Sequence, residues 1–294
     1  MERAEIIATP DTLNGALETW FIQNVVFQGL PYSLNFQPQK VESSTVIYLE
    51  LYQLNLEFIS QVRDLGKKLV LYHMGDERGD KDLSGYQGCD LIIRNYYFPH
   101  VFDNPNLSKK ILWSPNGFRT GVGPRQKDVI KNSLNRQCLA SFLGWINNPN
   151  SYQNERIDFA SAAANCGEDL YLLSSPGFAS GYNVGLYSGV LEDSVFAPCP
   201  AGNSPETIRL YDALELGSIP IMLKHEFLLS NQALASIGPV PFPLLNTWAE
   251  LPDFLARMKN LRSERPSEIQ VLQTQCLLWW ENYKYACRYK KLSH

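Results

Sequence analysis

The stretch SPETIRLYDALELGSIPIML (residues 204–223) carries an arginine, Arg209, where a helix that only packs has no use for one. Ser204 is a good N-cap and Pro205 suits the first helical position, so a helix is expected to open there and to stop at Gly217. Leu210 with Leu214, and Ile208 with Tyr211, recur at helical spacing and give it a core-facing side. The tight turn PCPAGN, ending in Gly202 and Asn203, would deliver the free N–H groups of Ser204 to Glu206 as an anion cradle. Arg209, one turn in, leans back toward that end. Asp212 is a candidate to accept from a ribose diol, and Lys224, past the next strand, is a further cation. The plainer alternative is an exposed Arg209–Asp212 pair on a scaffold helix.

A second set of chemistry-bearing residues closes the run KKLVLYHMGDE. Asp76 and Glu77 would lie beyond the C-terminal tip of a strand, as candidate general bases, with His73 as base or orienter. Arg94, Asn95 and Tyr96 follow another strand, although Arg94 could equally be a structural partner for Asp76 or Asp90. The plainer alternative for GDERGDKD is a solvated charged loop. Asp80 and Asp82 have the Asp-x-Asp spacing that can hold a divalent cation, but in a glycine-and-charge loop rather than at a strand end. They are read as a surface run, and no metal is expected.

Strand-sized apolar runs, each followed by a polar or glycine-containing segment, position these residues. STVIYLELY, a helical segment ending at Gly66, and KKLVLYHM read as strand, helix, strand, the unit of a parallel sheet. Residues 118–137 break the rhythm and read as a crossover; it resumes with CLASFLGWINN, a helix over 151–166, DLYLLSS and SVFAPCP. A long aromatic amphipathic helix closes the chain. Two α/β lobes facing across a cleft are expected, with ligands beyond the C-terminal ends of the strands. The expected domains are 1–125, 126–270 and a terminal helix, 271–294, packed back across the lobes.

FAPCPAGNSPETIRLYDALELGSIPIML resembles the donor-binding signature of exostosin-type glycosyltransferases, a Cys-Pro-x-Gly turn followed by Arg, Glu-Ala and Gly-x-Ile-Pro-Val. It is most similar to the ribitol xylosyltransferase branch of that group. HMGDE, IRNYYF, WSPNG and SFLGWINN followed by Arg156 resemble, in order, segments of the same branch, so the matches run from about residue 72 to 223. Asp212 stands where the pattern has Glu, and SPNG where PLG is commoner. The resemblance implies two Rossmann-like lobes of the GT-B type. It implies an inverting, metal-independent transfer of a sugar, xylose from UDP first, from a nucleotide diphosphate to a glycan hydroxyl. Donor binding would fall to Gly144, Gly202, Asn203, Ser204, Pro205, Glu206, Arg209, Asp212 and Lys224. Catalysis would fall to Asp76, Glu77 and His73, and the acceptor side to Arg94, Asn95 and Tyr96. Two rivals are a carbohydrate- or nucleotide-binding module of this fold without turnover, and a metal-dependent transferase using Asp80 and Asp82.

Composition narrows the classes. The 294 residues, 45% hydrophobic and 19% charged, suit a soluble globular chain with more than one core. A net charge of −4 and the lack of a basic run disfavour nucleic acid as a partner. Six scattered cysteines without a CxxC pair fit reduced thiols rather than a disulfide frame or zinc site. Apolar runs stop well short of a membrane span, so a cytoplasmic protein or the soluble part of an anchored enzyme is expected. No cofactor is expected, and none of the P-loop, GxGxxG, HExxH or GxSxG patterns is present.

Overall fold

The computed structural model describes residues 3–36, 40–178, 180–231, 234 and 237–288. The chain divides into two compact units, Met1–Asn116 with Tyr285–His294, and Gly117–Lys284. Each is built on its own parallel sheet, so the expected α/β class with two sheet-bearing parts is found.

In the first unit the strands are β1 (Ala4–Ile7), β2 (Tyr32–Asn35), β3 (Thr45–Glu50), β4 (Lys68–His73), β5 (Leu91–Arg94) and β6 (Ile111–Trp113). They lie in the order β2-β1-β3-β4-β5-β6, all parallel. β3 and β4 are covered on both faces, which is why TVIYLE and KLVLYH read as nearly continuous apolar runs rather than alternating ones. The helix Leu56–Asp64 opens on Asn55, whose side chain accepts from the Phe58 amide at 2.9 Å. It buries Phe58, Ile59 and Val62 against the sheet.

The second unit has β7 (Cys138–Gly144), β8 (Leu170–Ser174), β9 (Ser194–Pro198), β10 (Ile219–Leu223) and β11 (Leu244–Leu245), in the order β11-β10-β9-β7-β8. β7 comes first in the chain, yet it has β8 on one side and β9 on the other. The sheet therefore grows in opposite directions from β7, and the loops leaving β7 and β9 part company at its C-terminal end. Such a switch point opens a crevice where ligands of parallel α/β sheets settle.

Three sequence expectations are adjusted. The helix expected from Ser204 begins only at Ile208, with Thr207 at the cap position. Ser204 Oγ instead accepts from the Glu206 amide at 3.2 Å, and the Glu206 carboxylate accepts from Tyr211 Oη at 2.9 Å, so residues 204–206 form a bent lead-in. The terminal helix runs Pro266–Ala286, and its expected continuation past 288 lies outside the described residues. The segment read as a crossover is tied into the second unit: the Arg119 and Arg125 amides donate to Asp212 and Glu215.

Arg136 secures that unit's core. It is fully buried, and its guanidinium donates to the carbonyls of Lys131, Leu191, Ser194 and Leu216 and to Ser218 Oγ, over 2.8–3.2 Å. Arg136→Met would remove these five bonds, each worth about 1 kcal/mol. It would leave the Leu216 carbonyl without this donor, whereas the Lys131, Leu191 and Ser194 carbonyls keep Gln273 or Ser218. We expect at least about 3 kcal/mol of lost stability, read as a lower chemical-denaturation midpoint; a variant as stable as the parent would refute the account.

Candidate functional site

Two buried arginines of the second unit, Arg156 and Arg209, come together at the C-terminal end of β7. Arg209, in the first turn of the helix Ile208–Glu215, is 95% removed from solvent and donates through Nη2 to the Leu143 carbonyl. Its guanidinium lies 4.3 Å over the buried ring of Phe142 and 5.4 Å from that of Tyr187. Gly144 makes this approach feasible, because a Cβ there would stand 2.6 Å from Arg209 Nη2. Among the described residues, nothing accepts from Arg209 Nε or Nη1.

Arg156 lies 5.2 Å over the same Phe142 ring and donates to the carbonyls of Ala201 at 2.7 Å and Trp145 at 3.3 Å. Burial, followed by the nearby charge of Arg209, pushes its pKa down to about 9, so it stays protonated at neutral pH. Its chain neighbour Glu155 accepts from the Ala201 amide and from Trp248 Nε1, each at 2.9 Å, and lies 3.1 Å from His225 Nε2. The Ala201 peptide is thus gripped at both its N–H and its C=O. Tyr152 adds a third hold, donating its amide to the Gly202 carbonyl at 2.7 Å. The loop is fixed, yet a Cβ on Gly202 would meet open space.

Asp212 does not present a carboxylate to a ligand. It is fully buried, accepts from the Arg119 amide at 2.8 Å and Tyr187 Oη at 2.9 Å, and pairs with Arg119 Nε at 3.2 Å. Neither the ribose contact nor the exposed pair with Arg209 fits that surrounding; Asp212 holds Arg119 against the Tyr187 ring, 4.4 Å away. Of the other expected donor-side residues, Ser204, Pro205 and Glu206 are buried in the lead-in, whereas Gly202 and Asn203 reach its surface. Lys224 is exposed and donates to Asn246 Oδ1 at 2.8 Å.

In the first unit, β4 and β5 bring His73, Asp76 and Arg94 together. Arg94, fully buried, donates through Nη2 to Asp76 Oδ2 at 2.9 Å and through Nη1 to Tyr86 Oη at 3.2 Å. Asp76 Oδ1 accepts the Asp80 and Lys81 amides at 3.1 and 3.3 Å, so this carboxylate closes its own loop. Asn95 is likewise turned inward, accepting from the Gly75 amide at 3.3 Å and donating to Asn116 Oδ1 at 2.6 Å. Gly75 must be glycine: φ is +84°, and a Cβ would stand 2.5 Å from the Leu51 carbonyl oxygen. Of the expected base candidates, Glu77 is the half-exposed one, and Tyr96, held at φ +55°, donates its hydroxyl to it at 3.4 Å. Asp82 serves as a turn former, accepting from the Ser84 amide and hydroxyl at 2.9 and 2.8 Å. Among the described residues, no group of three or more His, Cys, Asp or Glu side chains is placed to hold a metal ion, and no helix is long and apolar enough to cross a membrane.

The sequence reading singled out Arg209, Arg156 and Gly144 of this cluster, but not Phe142, Glu155, Arg119 and Tyr187. Phe142 and Tyr187 carry only core-type signals, and Arg119 lies in a segment read as linker.

Residues 126–293 match the family described as the RXYLT1 C-terminal domain. This bears out the ribitol xylosyltransferase branch expected from the ordered motifs. Ribitol-5-phosphate xylosyltransferase 1 of Mus musculus and of Homo sapiens are each 28% identical, over 116 and 117 residues, or 35% of this chain and 25% of each relative. The match thus spans a quarter of those relatives' length. Among solved structures, the spinosyn forosaminyltransferase SpnP aligns over 100% of both chains with 11% identity and a TM-score of 0.47. The catalytic domain of starch synthase IV from Arabidopsis thaliana, bound to ADP and acarbose, aligns over 86% of this chain and 74% of its own with 13% identity and a TM-score of 0.47.

His73 gives the first unit a measurable signature. Burial, then the Arg94 charge, lowers its pKa from 6.5 to about 4, and its Nδ1 lies 2.7 Å from Tyr86 Oη. The unfolded chain therefore takes up the proton first. Stability from the neutral imidazole is complete above about pH 6.5 and falls as the pH drops toward 4. Denaturation of parent and His73→Asn at pH 7 and pH 5 should show a larger acid loss for the parent; equal losses would mean that His73 is not buried neutral.

Proposed function

The chain belongs to the RXYLT1 C-terminal domain family, and from that premise we propose that it is a glycosyltransferase. It moves a sugar from a nucleotide-diphosphate donor to a hydroxyl of a glycan acceptor. The observation that carries this reading is the buried Arg209 beside Arg156, with two N–H directions unmatched and no ion-paired carboxylate among the described residues. A diphosphate supplies the missing acceptors and charge, and a fork of fixed donors suits it better than a mobile lysine. UDP-xylose is the first donor to test, because the curated relatives are named xylosyltransferases.

In the proposed step a general base, for which Glu77 of the first unit is the candidate to test, takes the proton of the acceptor hydroxyl, and the acceptor oxygen forms the new bond to the anomeric carbon. The bond from that carbon to the diphosphate breaks, and its electron pair leaves on the phosphate oxygen. One displacement of this kind inverts the anomeric centre. Arg209 and Arg156 meet the charge of the departing diphosphate, with no metal ion required. Asp76 and Arg94 are positioning residues that fix the loop bearing Glu77.

Arg209→Ala should weaken UDP binding by about tenfold or more in calorimetry, the worth of one charged hydrogen-bond pair. Unchanged affinity would return Arg209 to a packing role. Glu77→Gln should keep UDP affinity while transfer falls by about 100-fold or more. Transfer at the parental rate would remove Glu77 as base, and binding of UDP without transfer of any sugar by the parent would favour a nucleotide-binding module. Loss of transfer on chelation, restored by manganese, would overturn the metal-free step.

A further inference from the structure

We propose that Tyr182 is the platform on which the nucleobase of the donor stacks, an inference that rests on the diphosphate reading of Arg209. Tyr182 lies in the loop leaving β8, and its hydroxyl donates to the Leu143 carbonyl at 3.0 Å. That is the carbonyl to which Arg209 Nη2 also donates. One backbone oxygen at the end of β7 therefore fixes both the ring and the guanidinium, and places the ring beside the anion site.

The ring is held before any ligand arrives. It lies parallel to Tyr187, with centroids 5.9 Å apart and planes 9° apart, and Tyr187 is itself buried and pinned by its hydrogen bond to Asp212. Tyr187 also faces the guanidinium of Arg119 at 4.4 Å. The next residue, Asn183, caps the helix Val184–Glu192 by accepting from the Leu186 amide at 2.8 Å, so the backbone around Tyr182 is anchored as well. A centroid separation of 5.9 Å between near-parallel rings is an offset stack, and Tyr182 is only half-buried. A fixed, partly open aromatic face next to a phosphate-binding arginine is what a planar base needs. Because the ring is already ordered, stacking costs little conformational entropy.

A tyrosine face accepts any base, whereas a pyrophosphate group has no face to offer it. This separates Tyr182 from Arg209 by experiment. Calorimetry would compare UDP with inorganic pyrophosphate on the parent chain, Tyr182→Ala and Tyr182→Phe. Loss of the ring should weaken UDP by about tenfold, within the range for removing a base-stacking aromatic, and leave pyrophosphate within twofold. Tyr182→Phe keeps the ring and should retain most of the UDP affinity. If Tyr182→Ala leaves UDP unchanged, or weakens UDP and pyrophosphate alike, the platform is refuted and the residue only shapes the loop. A parent chain that binds neither ligand would overturn the diphosphate reading itself, and the platform with it.

Discussion

Two like charges share one aromatic ring in the second unit, and the rest of its architecture serves that arrangement. Arg156 and Arg209 both lie over Phe142, and each is more than nine-tenths buried. Their attraction to the ring quadrupole, about 2 kcal/mol each when desolvated, offsets part of the burial cost but not their mutual repulsion. The nearby carboxylates of Glu155 and Asp212 offset part of this charge from a distance, but among the described residues neither forms an ion pair with Arg156 or Arg209: Asp212 is engaged with Arg119, and Glu155 with Ala201, Trp248 and His225. What keeps the charges in place is backbone. Arg209 is tied to the end of β7 and Arg156 to the loops that leave β7 and β9. Two buried guanidiniums held by carbonyls rather than ion pairs are the feature on which the proposed anion site rests.

The first unit makes the opposite use of the same residue types. Its buried arginine, Arg94, has a carboxylate, a phenol and a carbonyl as partners, and its histidine is kept neutral by burial. The contacts of Arg94 with Asp76 and Tyr86 stiffen the loop after β4, from which Glu77 emerges half-exposed.

This contrast explains how much could be read from the residues alone. Strand-sized apolar runs and the helix stop at Gly66 gave the α/β class, because both are consequences of local periodicity. Arg209 could be singled out because a cation in a short apolar helix breaks the pattern. Asp212 was misjudged for a physical reason. Its partners, Arg119 and Tyr187, are 93 and 25 residues away in the chain, and local spacing cannot show them. Ser204 misled through the opposite fault: a good capping residue found a local amide to satisfy before the helix began. Arg94 was legible only as a set of alternatives, which the geometry resolves in favour of Asp76 over Asp90.

The far end of the helix bearing Arg209 is also held by distant residues. Glu215, its last residue, is buried and accepts from Trp280 Nε1 at 2.6 Å and Lys284 Nζ at 2.9 Å, both on the terminal helix. A premature stop before Trp280 would remove no group that touches Arg209 or Arg156. It would nevertheless leave Glu215 as a buried carboxylate stripped of two of its donors, at the base of the lever that carries Arg209. Late truncations of this chain would therefore loosen the helix that carries Arg209 from its far end.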